Sequence, residues 1–336
     1  MPGDWQITQG YLIGPGANLS SANLSSANLH GAHLNHANLT DANLAGAGLH
    51  GANLTGANLT DADLTDADLT DANLTDADLS YADLQSADLT NTILAGANLI
   101  YATLTDTTLT STNLTGFNLT GVDFTGATLA NTTLTNTTLT NTILTNADLT
   151  GANLTNTTLT NTILTNADLT GANLSGVTSG GIVGSPNDLP TNWQLTGGYL
   201  IGPDANLSSA YLSSAYLSSA YLENANLTGA DLAGADLQFA DLTGADLTGA
   251  DLTNANLTNA NLTNANLTGA TLTDANLYGA DLHEALLPSV MPTLPVIDGA
   301  VVQVVDTLAV PGSVQVDTGG NLSVSSNSFT AGALNM

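Results

Sequence analysis

Leucine returns at every fifth residue from Leu19 to Leu174, with Phe124 the one replacement, and again from Leu207 to Leu282. Two places before each Leu stands a small residue, usually Ala. Asn or Asp lies between them, and Thr or Ser usually follows. A period of five matches neither the 3.6-residue pattern of a helix nor the two-residue alternation of a strand. Self-similarity at fixed spacing instead predicts a solenoid, whose units bury apolar surface only against their neighbours. The chain also shows how many beats close a turn. Asn136–Leu154 reads NTTLTNTILTNADLTGANL, and Asn156–Leu174 repeats it letter for letter, 20 residues on. Four beats therefore make one coil, and the two runs amount to about eight coils and about four.

The pattern Ala-(Asn/Asp)-Leu-(Thr/Ser)-x resembles the pentapeptide-repeat family over roughly three quarters of the chain. The resemblance implies an all-β fold, a right-handed four-sided β-helix. It also implies that the central Leu and the small residue two before it point inward, leaving the other three positions to solvent. Coils stacked by β-type hydrogen bonds would sit about 4.8 Å apart. Two departures from the beat predict local disturbance. Phe117 and Val122 take inward places normally held by Ala, beside Phe124, so the core should swell or bend there. Thr92, Thr112 and Thr132, and likewise Thr137 and Thr157, fall one coil apart in the same inward place. Their hydroxyls need partners, either one another or the coil backbone.

A longer repeat lies over the short one. Trp5-Gln6-Ile7-Thr8-Gln9-Gly10-Tyr11-Leu12-Ile13-Gly14-Pro15 reappears as Trp193-Gln194-Leu195-Thr196-Gly197-Gly198-Tyr199-Leu200-Ile201-Gly202-Pro203, and each copy leads into a run of beats. An aromatic, Gly-punctuated segment there reads as a cap over strand edges. The predicted organisation is a cap over 1–16, a solenoid over 17–176, a linker and second cap over 177–204, a solenoid over 205–287, and a β-rich tail over 288–336. The tail's short strand-like pieces are Val296-Ile297, Val301–Val305, Val314–Val316 and Leu322–Val324, separated by Pro311-Gly312 and Gly319-Gly320. The internal cap is preceded by the apolar stretch around Ile182-Val183. The first has no counterpart to it, so one slot of the first cap is expected to be empty.

Charge narrows the function. The chain has no Lys or Arg against 29 acidic residues, a formal charge of −29, and only Glu223 and Glu284 among those acids are Glu. Nothing can neutralise phosphates, so nucleic-acid partners are excluded, and anionic membrane surfaces are disfavoured. There is no Cys, hence no disulfide, thiol nucleophile or thiolate metal site. No apolar run is long enough for membrane insertion, and Met1-Pro2-Gly3-Asp4 does not open a signal segment.

Catalysis finds little support, because Ser and Thr occupy repeat positions with few groups able to activate them. His30 and His50 lie one coil apart, about 5 Å if stacked, and with His33 form a candidate metal cluster. Columns such as Asp63 with Asp83, Asp68 with Asp88, Asp148 with Asp168 and Asp231 with Asp251 would repel unless a cation such as loosely bound Ca²⁺ intervenes. Columns of Asn, such as Asn18, Asn38 and Asn58, would form amide ladders. The candidate interface comprises Trp5, Tyr11, Trp193, Tyr199, Tyr211, Tyr216, Tyr221, Val302, Val304, Val314 and Val316.

These features predict a structural, self-assembling protein with no enzymatic activity and no cofactor. Its partners would be copies of itself in a head-to-tail filament, sheath or matrix, outside the cell or on its surface. The alternative comes from the resemblance, since some family members mimic duplex DNA and act on type II topoisomerases. The acidity here is compatible with such a decoy.

Overall fold

The structure, a computed structural model, describes residues 3–110 and 112–288, together with the backbone of four strands within 301–335. Two compact units divide the chain. The first comprises Met1–Leu174 and Ile182–Thr191, the second Ser175–Gly181 and Asn192–Met336. Part of the stretch expected as a linker is therefore coil. Val183 bridges Ile163 and Asp188 bridges Asp168, which continues the first unit's ladder.

Inside each unit the coil is built from one repeated arrangement. Leu and the residue two before it are buried, and the residue between them faces outward. Leu24 and Leu227, for example, are fully buried, as are Ala42 and Ala230. Each Leu removed from water contributes about 2 kcal/mol. The chain turns after every Leu through a β-turn closed by a hydrogen bond from the next inward residue, as from Ala22 N–H to Leu19 C=O at 3.0 Å. The turn's third residue has positive φ throughout, for instance +56° at Asp41, +58° at Asn136 and +65° at Gly46. This explains why Gly, Asn, Asp and Ser fill the fifth place of the beat: these residues best tolerate the left-handed region.

Successive coils are joined by parallel bridges at a 20-residue offset, such as Asn38 to Asn58. Leu39 N–H donates to Asn58 C=O at 2.7 Å, and Asn58 N–H donates to Ala37 C=O at 2.9 Å. A four-beat coil is thus the stacking unit. Longer strands are few. Antiparallel hairpins cap the runs: β1 (Gln6–Thr8) with β2 (Tyr11–Ile13) in the first unit, and β5 (Gln194–Thr196) with β6 (Tyr199–Ile201) in the second. β3 (Thr158–Thr160) lies in the first unit's ladder and β4 (Thr178–Gly180) in the second unit.

The tail contains β8 (Val301–Val304), β9 (Leu308–Gln315), β10 (Asn321–Val324) and β11 (Phe329–Asn335). β8 pairs in parallel with β7 (Ala285–Leu287) and with β10, and β11 pairs in parallel with β9. The tail thus continues with parallel strands. Pro311-Gly312 does not separate two strands as expected but lies inside β9. The register with β11 slips there, between Ala331 and Ala333, so a bulge accommodates the residue pair that holds the amide-free Pro. β11 was not anticipated from the sequence, and Val296-Ile297 lies outside the described residues.

The predicted disturbance at Phe117 takes a definite form. Among the described residues, neither Ile93 with Asn113 nor Asn98 with Asn118 forms a bridge, whereas Thr103 with Asp123 and Thr108 with Thr128 do. The ladder is thus open on two adjacent sides of this coil and closed on the other two. Val122 and Phe124 are buried, but Phe117 is only half-buried. No helix among the described residues is long and apolar enough to cross a membrane.

Candidate functional site

The two caps are built alike. Gln9 and Gly10, with φ of +52° and +87°, turn the first hairpin; Gly197 and Gly198, at +60° and +81°, turn the second. Two consecutive positive φ values suit the twist of a two-residue hairpin loop. The Trp5 indole lies so close over Gly14, and Trp193 over Gly202, that a Cβ on either glycine would fall 2.2 Å from the ring. The Tyr11 hydroxyl accepts from Asn23 N–H at 3.2 Å, and the Tyr199 hydroxyl accepts from Tyr211 N–H at 3.1 Å.

The outer faces of the two hairpins differ. In the second unit Leu200 is fully buried, its N–H donates to Ser179 Oγ at 2.9 Å, and Gly180 packs against the Tyr199 ring. Residues of β4 therefore seat on that hairpin. The corresponding Leu12 is 55% exposed, and its cross-strand partner Ile7 is 60% exposed. Two neighbouring aliphatic side chains stand in water where the second unit has a buried Leu200 and a half-buried Leu195. The candidate interface drawn from the sequence holds the aromatic residues of the cap but not Ile7 and Leu12.

Other candidate interface residues are dispersed. Tyr211, Tyr216 and Tyr221 are exposed on successive sides of the second unit. Trp5, Tyr11, Trp193 and Tyr199 are half-buried within their own caps. Val302 and Val304 fall in β8 and Val314 in β9; Val316 lies outside the described residues.

His30 and His50 stack with ring centroids 4.9 Å apart and planes 11° from parallel. His50 Nδ1 lies 2.6 Å from Thr70 Oγ1, and that hydroxyl donates its hydrogen to Asp68 Oδ1 at 2.6 Å. The ring must therefore donate from Nδ1. The Thr70 hydroxyl bond is the main reason that the Asp68 carboxyl is held below its ordinary pKa, with the two histidines adding to the effect. His33 belongs to a different column, bridged to Asn53. Among the described residues no three His, Cys, Asp or Glu side chains converge as a metal cluster.

The Asp side chains of the columns are engaged in local hydrogen bonds. Their Oδ1 atoms accept from the N–H two residues on, as from Thr253 to Asp251 at 3.0 Å, and often from that residue's hydroxyl, here at 2.6 Å. Asn does the same, as Thr75 to Asn73 shows. These local Asx bonds outnumber the expected amide ladders, of which Asn38 to Asn18 at 3.3 Å is one. The sequence Asn/Asp-Leu-Thr is thus a capping device for each corner. It ties up hydroxyls that would otherwise be available for chemistry.

The family model for pentapeptide repeats matches eight times, over residues 17–56, 57–96, 77–116, 102–141, 118–156, 142–178, 210–249 and 250–287. The chain belongs to the pentapeptide-repeat family. Among solved pentapeptide-repeat structures, it is similar to HetL, involved in heterocyst differentiation regulation in the cyanobacterium Nostoc sp. Strain PCC 7120. That match is 32% identical over 74% of this chain and 89% of HetL, with a TM-score of 0.27. A trypsin-treated variant of QnrB1, a plasmid-mediated fluoroquinolone resistance protein, is 20% identical over 55% of this chain and 84% of that one, with a TM-score of 0.25. A pentapeptide-repeat protein of the Arabidopsis thaliana thylakoid lumen is 27% identical over 40% and 70%, with a TM-score of 0.16. No curated protein sequence matches significantly.

Proposed function

We propose that this pentapeptide-repeat protein is a non-catalytic structural element that joins head to tail with copies of itself. One observation carries the reading: Leu12 and Ile7 are exposed, while Leu200, at the equivalent place in the second cap, is buried beneath a coil strand. The second unit supplies the template for what fits such a hairpin, namely an extended coil segment with a hydroxyl to accept the Leu N–H and a glycine beneath the Tyr. At the other end of the chain, β10 and β11 each have one hydrogen-bonded neighbour in their sheets among the described residues. A free strand edge of one copy set on the Ile7–Leu12 face of the next makes a heterologous contact, and such a contact propagates without closing. Engagement of the repeat's hydroxyls in corner bonds further supports a structural role.

The test compares the native chain with the Ile7→Asp/Leu12→Asp double variant by sedimentation velocity and negative-stain imaging. The native chain should form linear polymers that lengthen with concentration, and the variant should remain single at the same concentrations. A native chain that stays single throughout, or a variant that polymerises equally, overturns the proposal.

A further inference from the structure

The opening beside Phe117 shows in the backbone bonds that follow each inward place. Where the inward place holds Ala127, the following amide, Thr128 N–H, reaches Thr107 C=O at 2.9 Å. After Val122 the same bond, Asp123 N–H to Ala102 C=O, stretches to 3.3 Å. After Phe117 it is lost: Asn118 N–H has no backbone partner among the described residues. A buried Thr does not break the ladder by itself, since Thr133 N–H after Thr132 reaches Thr112 C=O at 2.9 Å. Elsewhere in the stack inward residues up to the size of Ile182 keep this bond, as Val183 N–H to Thr162 C=O at 3.0 Å shows; among the described residues it is lost after Phe117 and, on the adjoining side, after Thr112. The damage is one-sided, because Phe117 C=O still accepts from Thr138 N–H at 2.8 Å on the following coil.

Two further observations fall at the same joint. Thr92, Thr107, Thr132, Thr137, Thr142, Thr157 and Thr162 each donate a buried hydroxyl to the carbonyl of a Leu 23 residues earlier. Thr112, only 3% exposed, leaves its Oγ1 without a partner. By the same offset its acceptor would be Leu89 C=O. A cleft of about 490 Å³ runs along this line, between Asn91–Gly96 on one wall and Thr112, Asn113, Thr115 and Phe117 on the other. Leu94, Leu99, Leu114 and Leu119 stay buried, so the coils have parted at the rim without exposing the core.

We propose that Phe117 is a wedge holding open a two-state joint within the first unit. In the open state the amides of Leu94, Leu99, Asn113 and Asn118 lack their ladder partners, those of Leu94 and Asn113 along the cleft, and the Thr103 and Thr108 sides act as the hinge line. In the closed state Ile93 bridges Asn113, Asn98 bridges Asn118, and Thr112 donates to Leu89. The ring of Phe117 decides between them, because the closed coils of the first unit hold Ala, Thr, Val or Ile at this inward place and nothing as large as Phe. Such a joint lets a stiff coil stack bend toward one side while keeping two ladders intact. The proposal is independent of self-assembly.

Residue-resolved amide hydrogen exchange on the full chain tests it. In the native protein the amides of Leu94, Leu99, Asn113 and Asn118 should exchange on the order of 100-fold faster than those of Leu74 and Leu134, which are ladder-bonded. Phe117→Ala should slow all four toward the Leu134 rate and raise the melting temperature, and Phe117→Val should fall between. Native protection of the four equal to that of Leu134 overturns the wedge. So does a Phe117→Ala protein whose four amides still exchange fast, or one that fails to fold, since the proposal requires this truncation to stabilise.

Discussion

Thr157 donates its hydroxyl hydrogen to the carbonyl of Leu134 at 2.6 Å, joining one coil's interior to the backbone of the coil before it. That carbonyl already accepts from Thr137 N–H at 3.1 Å, so the hydroxyl adds a second bond to a satisfied group. A buried Thr here is a minor variant of the usual Ala with its polarity absorbed by the backbone.

The consequence is a pair of substitutions with opposite signs. Thr157→Val keeps the shape and loses the bond, so it should destabilise by about 1 kcal/mol. Thr112→Val removes a buried hydroxyl that has no partner, so it should stabilise by about 1 kcal/mol. Chemical denaturation of both variants against the native chain measures the contrast. Equal signs would show that the two hydroxyls are not differently partnered.

The Asx bonds predict a specific acid response. Thr248 donates to Asp246 Oδ1 through its hydroxyl at 2.5 Å and its amide at 3.0 Å. The hydroxyl bond is the largest reason that the Asp246 carboxyl sits below its ordinary value of 3.8, with partial burial opposing it. Asp68, Asp168 and Asp251 are lowered in the same way by Thr70, Thr170 and Thr253. A carboxyl lowered on folding stabilises the fold in full above its unfolded pKa. That contribution is lost as pH falls from the ordinary value through the folded one. Thr248→Val should move the Asp246 titration upward, toward 3.8, in a carboxyl-detected NMR titration. An unchanged midpoint would remove the hydroxyl as the cause.

Salt should stabilise this protein. With a charge of −29 and no Lys or Arg, bridged pairs such as Asp63 with Asp83 and Asp231 with Asp251 stand one coil apart without a basic side chain to offset them. Raising ionic strength from 0.01 M to 1 M shortens the Debye length from about 30 Å to about 3 Å and so screens this repulsion. The melting temperature should rise steadily with NaCl at neutral pH. A flat or falling curve would mean that the Asx bonds alone render the columns insensitive to their charge.

The beat of Leu19, Leu24 and their successors made the coil, its four sides and its 20-residue offset legible, because burial in a solenoid is set locally and repeated. The 4.9 Å stack of His30 on His50 follows from the same arithmetic. What five-residue spacing cannot express is the effect of one oversized residue on hydrogen bonds in the neighbouring coil. Phe117 was visible as a disturbance, but which two of four ladders would open depends on three-dimensional packing. Nor did the pattern show that Ile7 and Leu12 would be uncovered. That depends on which segment comes to lie over each hairpin, as Ser179 and Gly180 do over Leu200 and Tyr199.

The corner position offers the last prediction. Phe239 occupies it with φ of +57° and is 58% exposed. A bulky L-residue held in the left-handed region loses roughly 1 kcal/mol relative to Gly, and an exposed ring recovers little of this by burial. The neighbouring corners at Gly229, Gly234, Gly244 and Gly249 hold the same positive φ, between +65° and +68°, so glycine already fits this turn. Phe239→Gly should therefore stabilise the second unit by about 0.5–1 kcal/mol, against the usual expectation for removing an aromatic side chain. Tyr101 is the control: it shares the corner conformation at +58° but stacks on Tyr81 with centroids 5.4 Å apart. There the loss of stacking, worth about 0.5–1.5 kcal/mol, should cancel the backbone gain, leaving Tyr101→Gly near neutral. Thermal unfolding of the two variants separates the effects. Destabilisation by Phe239→Gly would show that its ring is held by contacts worth more than the strain it imposes.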